Sequence, residues 1–145
     1  MKQILGMTFI GALVLFSACK EPGCTDVFAD NYSASAEEND GSCVYGVNLV
    51  FYFNESRAEF YDDAGAYSPI KVEVNGTEVG EVNWFFPFEE APSCESAAGV
   101  VNYKLEMSSK FETTEFEFID QMGNSIHSRS ESIAISDGDC QAILF

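Results

Sequence analysis

The chain has 145 residues and a formal net charge of −17, because 24 acidic side chains face only seven lysines and arginines. Nucleic-acid binding requires clustered basic residues, and attachment to anionic lipid headgroups requires the same, so this composition argues against both functions. Aromatic residues make up 14% of the chain, which indicates a folded protein and not a disordered one. The acidic surface is explained most simply by solubility, and divalent cation binding is the functional alternative.

The N-terminus has the pattern of a secretory signal peptide. A short basic start precedes an apolar run from Ile4 to Phe16, and the small residues Ser17 and Ala18 follow it. The run is too short to cross a hydrocarbon core, which needs about 20 residues. Cleavage near Ala18 by an ordinary signal peptidase is one interpretation of this segment.

The sharper interpretation is that of a bacterial lipoprotein. The residues Leu15-Phe16-Ser17-Ala18-Cys19 resemble the lipobox of that class, in which the cysteine is acylated and becomes the mature N-terminus. The resemblance implies a lipoprotein signal peptide over residues 1–18, lipidation of Cys19, and export to the outer membrane or cell surface. One acyl chain holds a protein only marginally, but bacterial lipoproteins carry more than one, so the anchor would be stable.

Five cysteines are present in the chain: Cys19, Cys24, Cys43, Cys94 and Cys140. If the first is lipidated, the other four can form two disulfides in an oxidising compartment, and three pairings are possible. Proximity in sequence favours Cys24–Cys43 and Cys94–Cys140. On the chain-entropy model the two bonds would contribute about 3 and about 4 kcal/mol to stability.

Residues 22–45 form a short cysteine-bounded segment, "PGCTDVFADNYSASAEENDGSCVY". It closely resembles a module of secreted and surface proteins of marine Bacteroidetes and other aquatic microbes. The residues that match are Gly23, Cys24, Thr25, Asp26, Ala29, Asn31, Tyr32, Ala36, Asp40, Gly41, Ser42, Cys43 and Tyr45. The resemblance implies a surface context and no particular activity. We therefore assign residues 19–45 to a lipid-anchored linker and disulfide module.

The same module is rich in oxygen donors, and calcium takes six to eight oxygen ligands. Asp26, Asn31 and Asp40 are the candidate calcium ligands, and calcium is the one cofactor that the sequence suggests. Their spacing is not that of an EF-hand loop. Turn formation around a disulfide is the alternative role for these side chains, because Asp and Asn close local turns and Asp40-Gly41 is a turn dipeptide.

Residues 46–145 show short β-patterned runs separated by turn signals. Asn75-Gly76 between two such runs predicts a hairpin, and the alternation in "EFEF" places Phe116 and Phe118 inward. The predicted strands are Val47–Phe53, Ile70–Val74, Thr77–Val82, Val100–Met107, Phe111–Asp120, Ser125–Ile135 and a final run with Ile143 and Phe145 on one face. This pattern predicts an all-β protein, a single antiparallel β-sandwich of the immunoglobulin-like or prealbumin-like kind, with Asn54 to Pro69 as a loop or irregular edge.

The order of features in this part of the chain resembles small β-sandwich domains of secreted Bacteroidetes proteins. Those domains show a V-x-V-N-G-x-x-x-G hairpin, a cysteine in mid-chain, an aromatic-rich strand, a glycine turn and a final G-x-C. Here these features are Val72 to Gly80, Cys94, Phe111 to Phe118, Gly123 and Gly138-Asp139-Cys140. The resemblance supports the Cys94–Cys140 pairing and implies no activity.

The residues that could carry chemistry do not form a catalytic pattern. His127 is followed directly by Ser128, but neighbours on a strand alternate between faces, so the two make no nucleophile–base pair. The acid pairs Asp62-Asp63 and Glu89-Glu90 are typical of solvated loops. The sequence therefore predicts that the protein is not an enzyme.

An unusual apolar cluster, Trp84 to Phe88, is either a core strand that ends at Pro87, which we favour, or an exposed contact surface. Tyr52, Tyr61 and Tyr67 could join such a surface. The function predicted is a non-enzymatic exported lipoprotein that acts as a binding or spacer module for an envelope protein or a surface glycan. A calcium-dependent adhesion or carbohydrate-binding module is the alternative.

Overall fold

The computed structural model describes residues 20–83, 85–95, 98–135 and 140–145. The predicted signal peptide, the predicted lipidation site Cys19, and Trp84 lie outside these ranges. The elements are β1 (Pro22–Gly23), β2 (Glu38–Asn39), β3 (Tyr45–Tyr52), α1 (Glu55–Asp63), β4 (Ile70–Val74), β5 (Thr77–Val82), β6 (Val101–Met107), β7 (Phe111–Ile119), β8 (Ser125–Ala134) and β9 (Cys140–Leu144).

Two sheets face each other, which confirms the predicted all-β sandwich. One has three strands in the order β6-β3-β9, and the other has four in the order β5-β4-β7-β8. The sandwich is not purely antiparallel as predicted, since β9 runs parallel to β3. The reason is topological. β8 ends at the same end of the sandwich at which β3 begins, so the chain enters β9 from that end and runs in the direction of β3.

The core between the sheets is aromatic. Phe51 of β3 contacts Phe116 of β7 edge to face, with ring centroids 5.4 Å apart, and Phe118 stacks on Phe145 at 4.0 Å. Phe116 and Phe118 are fully buried, as their alternation with glutamates predicts. Large aromatic side chains of this kind dominate the hydrophobic free energy of a small core, so this cluster is the main stabilising feature of the sandwich.

The hairpin predicted at Asn75-Gly76 is present, with β4 and β5 paired on either side of it. Both turn residues have positive φ, at 50° and 74°. A two-residue hairpin turn of the I′ type requires this left-handed geometry at both positions, and Asn followed by Gly adopts it at least cost. Asn75 also accepts a hydrogen bond from the backbone N–H of Glu115, which ties the turn to β7.

The prediction that Asn54 to Pro69 forms a loop is wrong, because helix α1 occupies most of it. Asn54 is the N-cap, with its side chain accepting from the N–H of Arg57 at 2.9 Å. Ala58 and Tyr61, three residues apart, are the buried positions of the helix. The ring of Tyr61 packs on that of Phe53, with ring centroids 5.6 Å apart, and this contact fixes the helix at the end of the core.

The aromatic run after β5 also differs from the favoured prediction of a core strand. Phe85 and Phe86 are 69% and 60% exposed. The strand ends at Val82, and the side chain of Asn83 then accepts from the N–H of Phe85 at 3.0 Å, which closes a turn and sends the chain outward. Of residues 85–88, which the structure describes, Phe88 is the partly buried one. Its ring contacts that of Tyr52 edge to face on the outer face of the three-stranded sheet, with ring centroids 6.3 Å apart.

Two disulfides, Cys24–Cys43 and Cys94–Cys140, join the pairs that proximity in sequence favours. The first closes the small module ahead of β3. The second ties the segment after β5 to the start of β9. In the part of the chain that the structure describes, no helix is long and apolar enough to cross a membrane.

Candidate functional site

The sandwich has two different ends. The disulfide module contacts the end at which β3 begins and β6 terminates, since Tyr45 pairs with Met107 across these strands. At the opposite end lie the last residues of β3, helix α1 and the turn between β7 and β8. Eight residues of β3 separate the ends, a span of about 25 Å at the rise of a strand.

At the module end, two aspartates join the module to the sandwich, and Asp26 makes the more extensive contacts. Its Oδ2 atom lies 2.7 Å from Nζ of Lys110 and accepts from the hydroxyl of Tyr45 at 2.9 Å. The hydrogen bond from Lys110, followed by that from the N–H of Phe28, holds the pKa of the Asp26 carboxyl below its ordinary value. Asp30 makes a second cross-link through an ion pair with Lys104.

The other two predicted calcium ligands are bonded within the module. The Asn31 side chain donates to the carbonyl of Ser42 at 2.6 Å and accepts from the N–H of Val44 at 2.8 Å. Asp40 accepts from the N–H of Ser42 at 2.9 Å. The side chain of Ser42, followed by its backbone N–H, lowers the pKa of the Asp40 carboxyl. These contacts match the turn role that the sequence left open as the alternative.

Among the described residues, no group of three or more histidine, cysteine or acidic side chains is placed to hold a metal ion. The calcium site at Asp26, Asn31 and Asp40 therefore stays a prediction from the sequence. Asp26 joins the module to the sandwich through Lys110, whereas Asn31 and Asp40 bond to Ser42 and Val44 within the module.

At the opposite end a groove of about 370 Å³ opens between helix α1 and the β7–β8 turn. Its residues are Phe60, Tyr61, Ala64, Gly65, Ala66, Tyr67, Asp120, Asn124 and Ile126. Two aromatic side chains on its walls are largely exposed, Phe60 at 58% and Tyr67 at 56%, whereas Tyr61 is buried. A groove of this volume is within the range of small-molecule sites.

The wall from helix α1 is shaped by the way in which the helix ends. Gly65, with φ at 72°, turns the chain, and the N–H of Ala66 returns to the carbonyl of Tyr61 at 3.0 Å. A left-handed residue directly after a helix is usually glycine because it has no Cβ. Ala64, Gly65 and Ala66 are all small, so the groove stays open between Phe60 and Tyr67.

The opposite wall is a rigid turn built around a buried carboxylate. Oδ1 of Asp120 accepts from the N–H of Met122 at 2.9 Å and from the N–H of Asn124 at 2.8 Å, and the Asn124 side chain donates to Oδ2 at 3.0 Å. The side-chain bond from Asn124 is the main reason that the pKa of Asp120 is lowered. The N–H of Gln121 donates to the carbonyl of Tyr67, which links the two walls.

This arrangement is suited to binding more than to catalysis. Asp120 is held in its ionised form by donors, so it has no proton to give as a general acid. The remaining lining residues are aromatic, aliphatic, small or amide-bearing. His127 lies partly buried against Phe118, with ring centroids 6.0 Å apart, and burial lowers its pKa.

Of the tyrosines that the sequence groups as a possible aromatic patch, Tyr61 and Tyr67 do meet in the groove. Tyr52 does not, because its ring packs on Phe88. Sequence reasoning missed Phe60, Asp120 and Asn124. The Asn54 cap and the "DQMGN" turn, Asp120 to Asn124, are the signals that could have located the two walls.

Comparison of the chain with profiles of known protein families, with curated proteins and with solved structures gives no match. The geometry of the described residues is therefore the basis on which a function is proposed.

Proposed function

We propose that the chain is an exported lipoprotein of the outer membrane or cell surface that acts as a non-enzymatic binding module. The observation that carries the proposal is the position of the groove at the end of the sandwich remote from the disulfide module. The lipobox-like Cys19 lies five residues before Cys24, the first disulfide cysteine of that module. An anchor at Cys19 would therefore hold the module end near the membrane and present the groove away from it.

The two disulfides support export, because such bonds persist in oxidising compartments and are rare in the cytosol. The tight attachment of the module supports a spacer role for it. Each of two module carboxylates pairs with a lysine outside the module: Asp26 with Lys110, and Asp30 with Lys104. The module and the sandwich would then move as one body, so the groove would keep its distance from the lipid.

The groove favours an uncharged sugar of a surface glycan as the ligand. The flat faces of Phe60 and Tyr67 carry partial negative charge and can stack on the C–H face of a pyranose ring. Exposed apolar side chains beside ordered polar groups mark interaction sites. The net charge of −17 would repel anionic polysaccharides, so a neutral polymer is the better fit.

Two measurements test the proposal. Intact mass of the membrane-extracted protein should show a chain that begins at Cys19 with added acyl groups, and a gain of four protons on reduction. A soluble chain with a free Cys19 thiol would contradict lipid anchoring.

Retention of the purified protein in gels that contain neutral polysaccharides should then identify a ligand. Phe60→Ala with Tyr67→Ala should abolish retention. Phe111→Ala, which removes an equally exposed aromatic ring at the start of β7, is the matched control and should be retained like the wild type. Equal retention of the wild type, the double variant and the Phe111→Ala control would refute the groove as the binding site.

A further inference from the structure

Strand β8 forms a free edge of the four-stranded sheet. Among the described strands it pairs with β7 alone. An edge strand presents alternate N–H and C=O groups that have no partner in the sheet, and these can pair with a strand of another chain. β8 is the longest strand described, with ten residues from Ser125 to Ala134.

The regular part of this edge is the segment His127 to Ile133. At the N-terminal side, the register with β7 shifts beside Ile126, because Phe118 pairs with His127 while Ile119 pairs with Ser125. At the C-terminal side, the carbonyl of Ala134 already accepts from the side chain of Gln141 at 2.6 Å. Seven residues, or about 20 Å of strand, thus remain between the two irregular ends.

The side chains of this segment are self-complementary about Ser130. In an antiparallel pair of two copies centred there, Arg129 would oppose Glu131 of the second copy, and Glu131 would oppose its Arg129. Ser128 would likewise oppose Ser132. Opposite charges directly across two strands stabilise a pair, and like charges destabilise it. No side chain in this register meets a like charge.

The two charged residues are already placed for such a contact. Within one chain Nε of Arg129 lies 2.9 Å from Oε1 of Glu131, and both side chains are partly exposed. They share the face of β8 that also carries the buried Ile133. In the pair of copies, four charges would alternate in sign around the two-fold axis, which adds two ion pairs without displacing the existing ones.

The other strand edges carry features that oppose pairing. β5 bears the acidic Glu78 and Glu81, and its register with β4 shifts at Val72. β6 exposes Lys104 and Glu106, and β9 is only five residues long. Charges and irregularities of this kind are the devices by which proteins protect sheet edges. The outward face of β8 carries serines instead, at Ser128, Ser130 and Ser132.

We propose that β8 is a self-association surface, where two copies of this chain join through antiparallel β8–β8 pairing centred on Ser130. The result would be a continuous eight-stranded sheet with two-fold symmetry. The pairing surface is small compared with the 1,200–2,000 Å² typical of stable complexes, so the dimer should be weak in dilute solution. Anchoring both copies in one membrane would raise their effective concentration and favour the dimer.

Cysteine cross-linking tests the register directly. A thiol at the two-fold axis meets itself, so Ser130→Cys should give a covalent dimer under mild oxidation of the full-length protein. Ser128→Cys alone should not, because two copies of residue 128 would lie about 13 Å apart along the strands. A mixture of Ser128→Cys with Ser132→Cys should cross-link, and the wild type treated in parallel reports any contribution of Cys19.

Charge reversal provides the second test, read by sedimentation at several protein concentrations. Arg129→Glu and Glu131→Arg should each weaken the dimer at least tenfold, and mixing the two variants should restore a heterodimer, because every charge then meets its opposite. Failure of Ser130→Cys to cross-link, or equally fast cross-linking of Ser128→Cys alone, would overturn the proposal. So would a mixture of the charge variants that stays monomeric.

Discussion

The two ends of the sandwich use similar side chains in opposite ways. At the module end the acidic groups are engaged: Asp26 contacts Lys110 and Tyr45, and Asp30 contacts Lys104. At the groove end Asp120 is equally engaged, but by its own turn, and the aromatic rings of Phe60 and Tyr67 remain exposed. One end therefore attaches parts of the chain to each other. At the other end, exposed aromatic rings line a groove whose far wall is a self-contained turn.

Whether a side chain is buried in the core between these ends decides the effect of its loss. Phe118→Ala removes a ring that stacks on Phe145 in the core, so the free energy of unfolding should fall by about 3–5 kcal/mol. Phe111→Ala removes a ring that is 69% exposed and should change it by less than about 0.5 kcal/mol. Urea unfolding of both variants checks this contrast, and equal losses would contradict the assigned core.

Loss of the module disulfide should be the next largest effect. Replacing Cys24 and Cys43 by alanine opens a loop with a sequence separation of 19, which corresponds to about 3 kcal/mol on the chain-entropy model. We expect the module to loosen while the sandwich core persists. Hydrogen exchange should then rise over residues 22–45 and stay slow at Phe116 and Phe118. Uniformly fast exchange would show that the sandwich depends on the module.

Acid should weaken the attachment of the module. The pKa of Asp26 is lowered in the folded protein from the ordinary value of 3.8. The stabilisation from its ion pair is thus fully present above that ordinary value, and it is lost as the pH falls through the lowered, folded-state pKa. The melting temperature of the wild type should fall more steeply below pH 4 than that of Asp26→Asn. Parallel curves would contradict the role given to Asp26.

The groove aromatics should matter for binding and not for stability. Phe60→Ala and Tyr67→Ala each remove a side chain that is more than half exposed, so the free energy of unfolding should change by less than about 0.5 kcal/mol. The affinity for a polysaccharide that retains the wild type should fall at least tenfold in each variant. Thermal melts run beside the binding assay separate the two effects, and a large loss of stability in either variant would show that its ring is structural.

The smallest effect is expected from calcium. Asp26, Asn31 and Asp40 are bonded to Lys110, Val44 and Ser42 within the chain. A ligand that binds the folded state alone raises the melting temperature, so removal of a bound metal would lower it. We expect a chelator to leave the melting temperature unchanged. A clear fall, reversed by added Ca²⁺, would restore the calcium-dependent alternative.

Much of the sandwich could be predicted from the sequence because its signals are local. The alternation around Phe116 and Phe118 and the Asn75-Gly76 turn each depend on neighbouring residues. Helix α1 was missed because it is nine residues long with two buried positions, and such a short helix is stabilised by tertiary packing on Phe53 and not by its own pattern.

The groove and the direction of β9 could not be predicted for a different reason. The walls of the groove come from Phe60 and Tyr67 on one side and from Asp120 and Asn124 on the other, more than 50 residues later in the chain. Their meeting depends on how the strands are ordered in the sheets. No pattern within a single strand contains that order, and β9 runs parallel to β3 for the same reason.

The measurement that tests the central claim most directly is an NMR titration of the protein with a fragment of the neutral polysaccharide that retains it most strongly in the gels. We predict that the largest chemical-shift changes fall on the backbone amides of Phe60, Tyr67 and Asn124, with little change over residues 22–45. Changes centred on the module, or no saturable change with any neutral fragment, would contradict the assignment of the groove as the binding end.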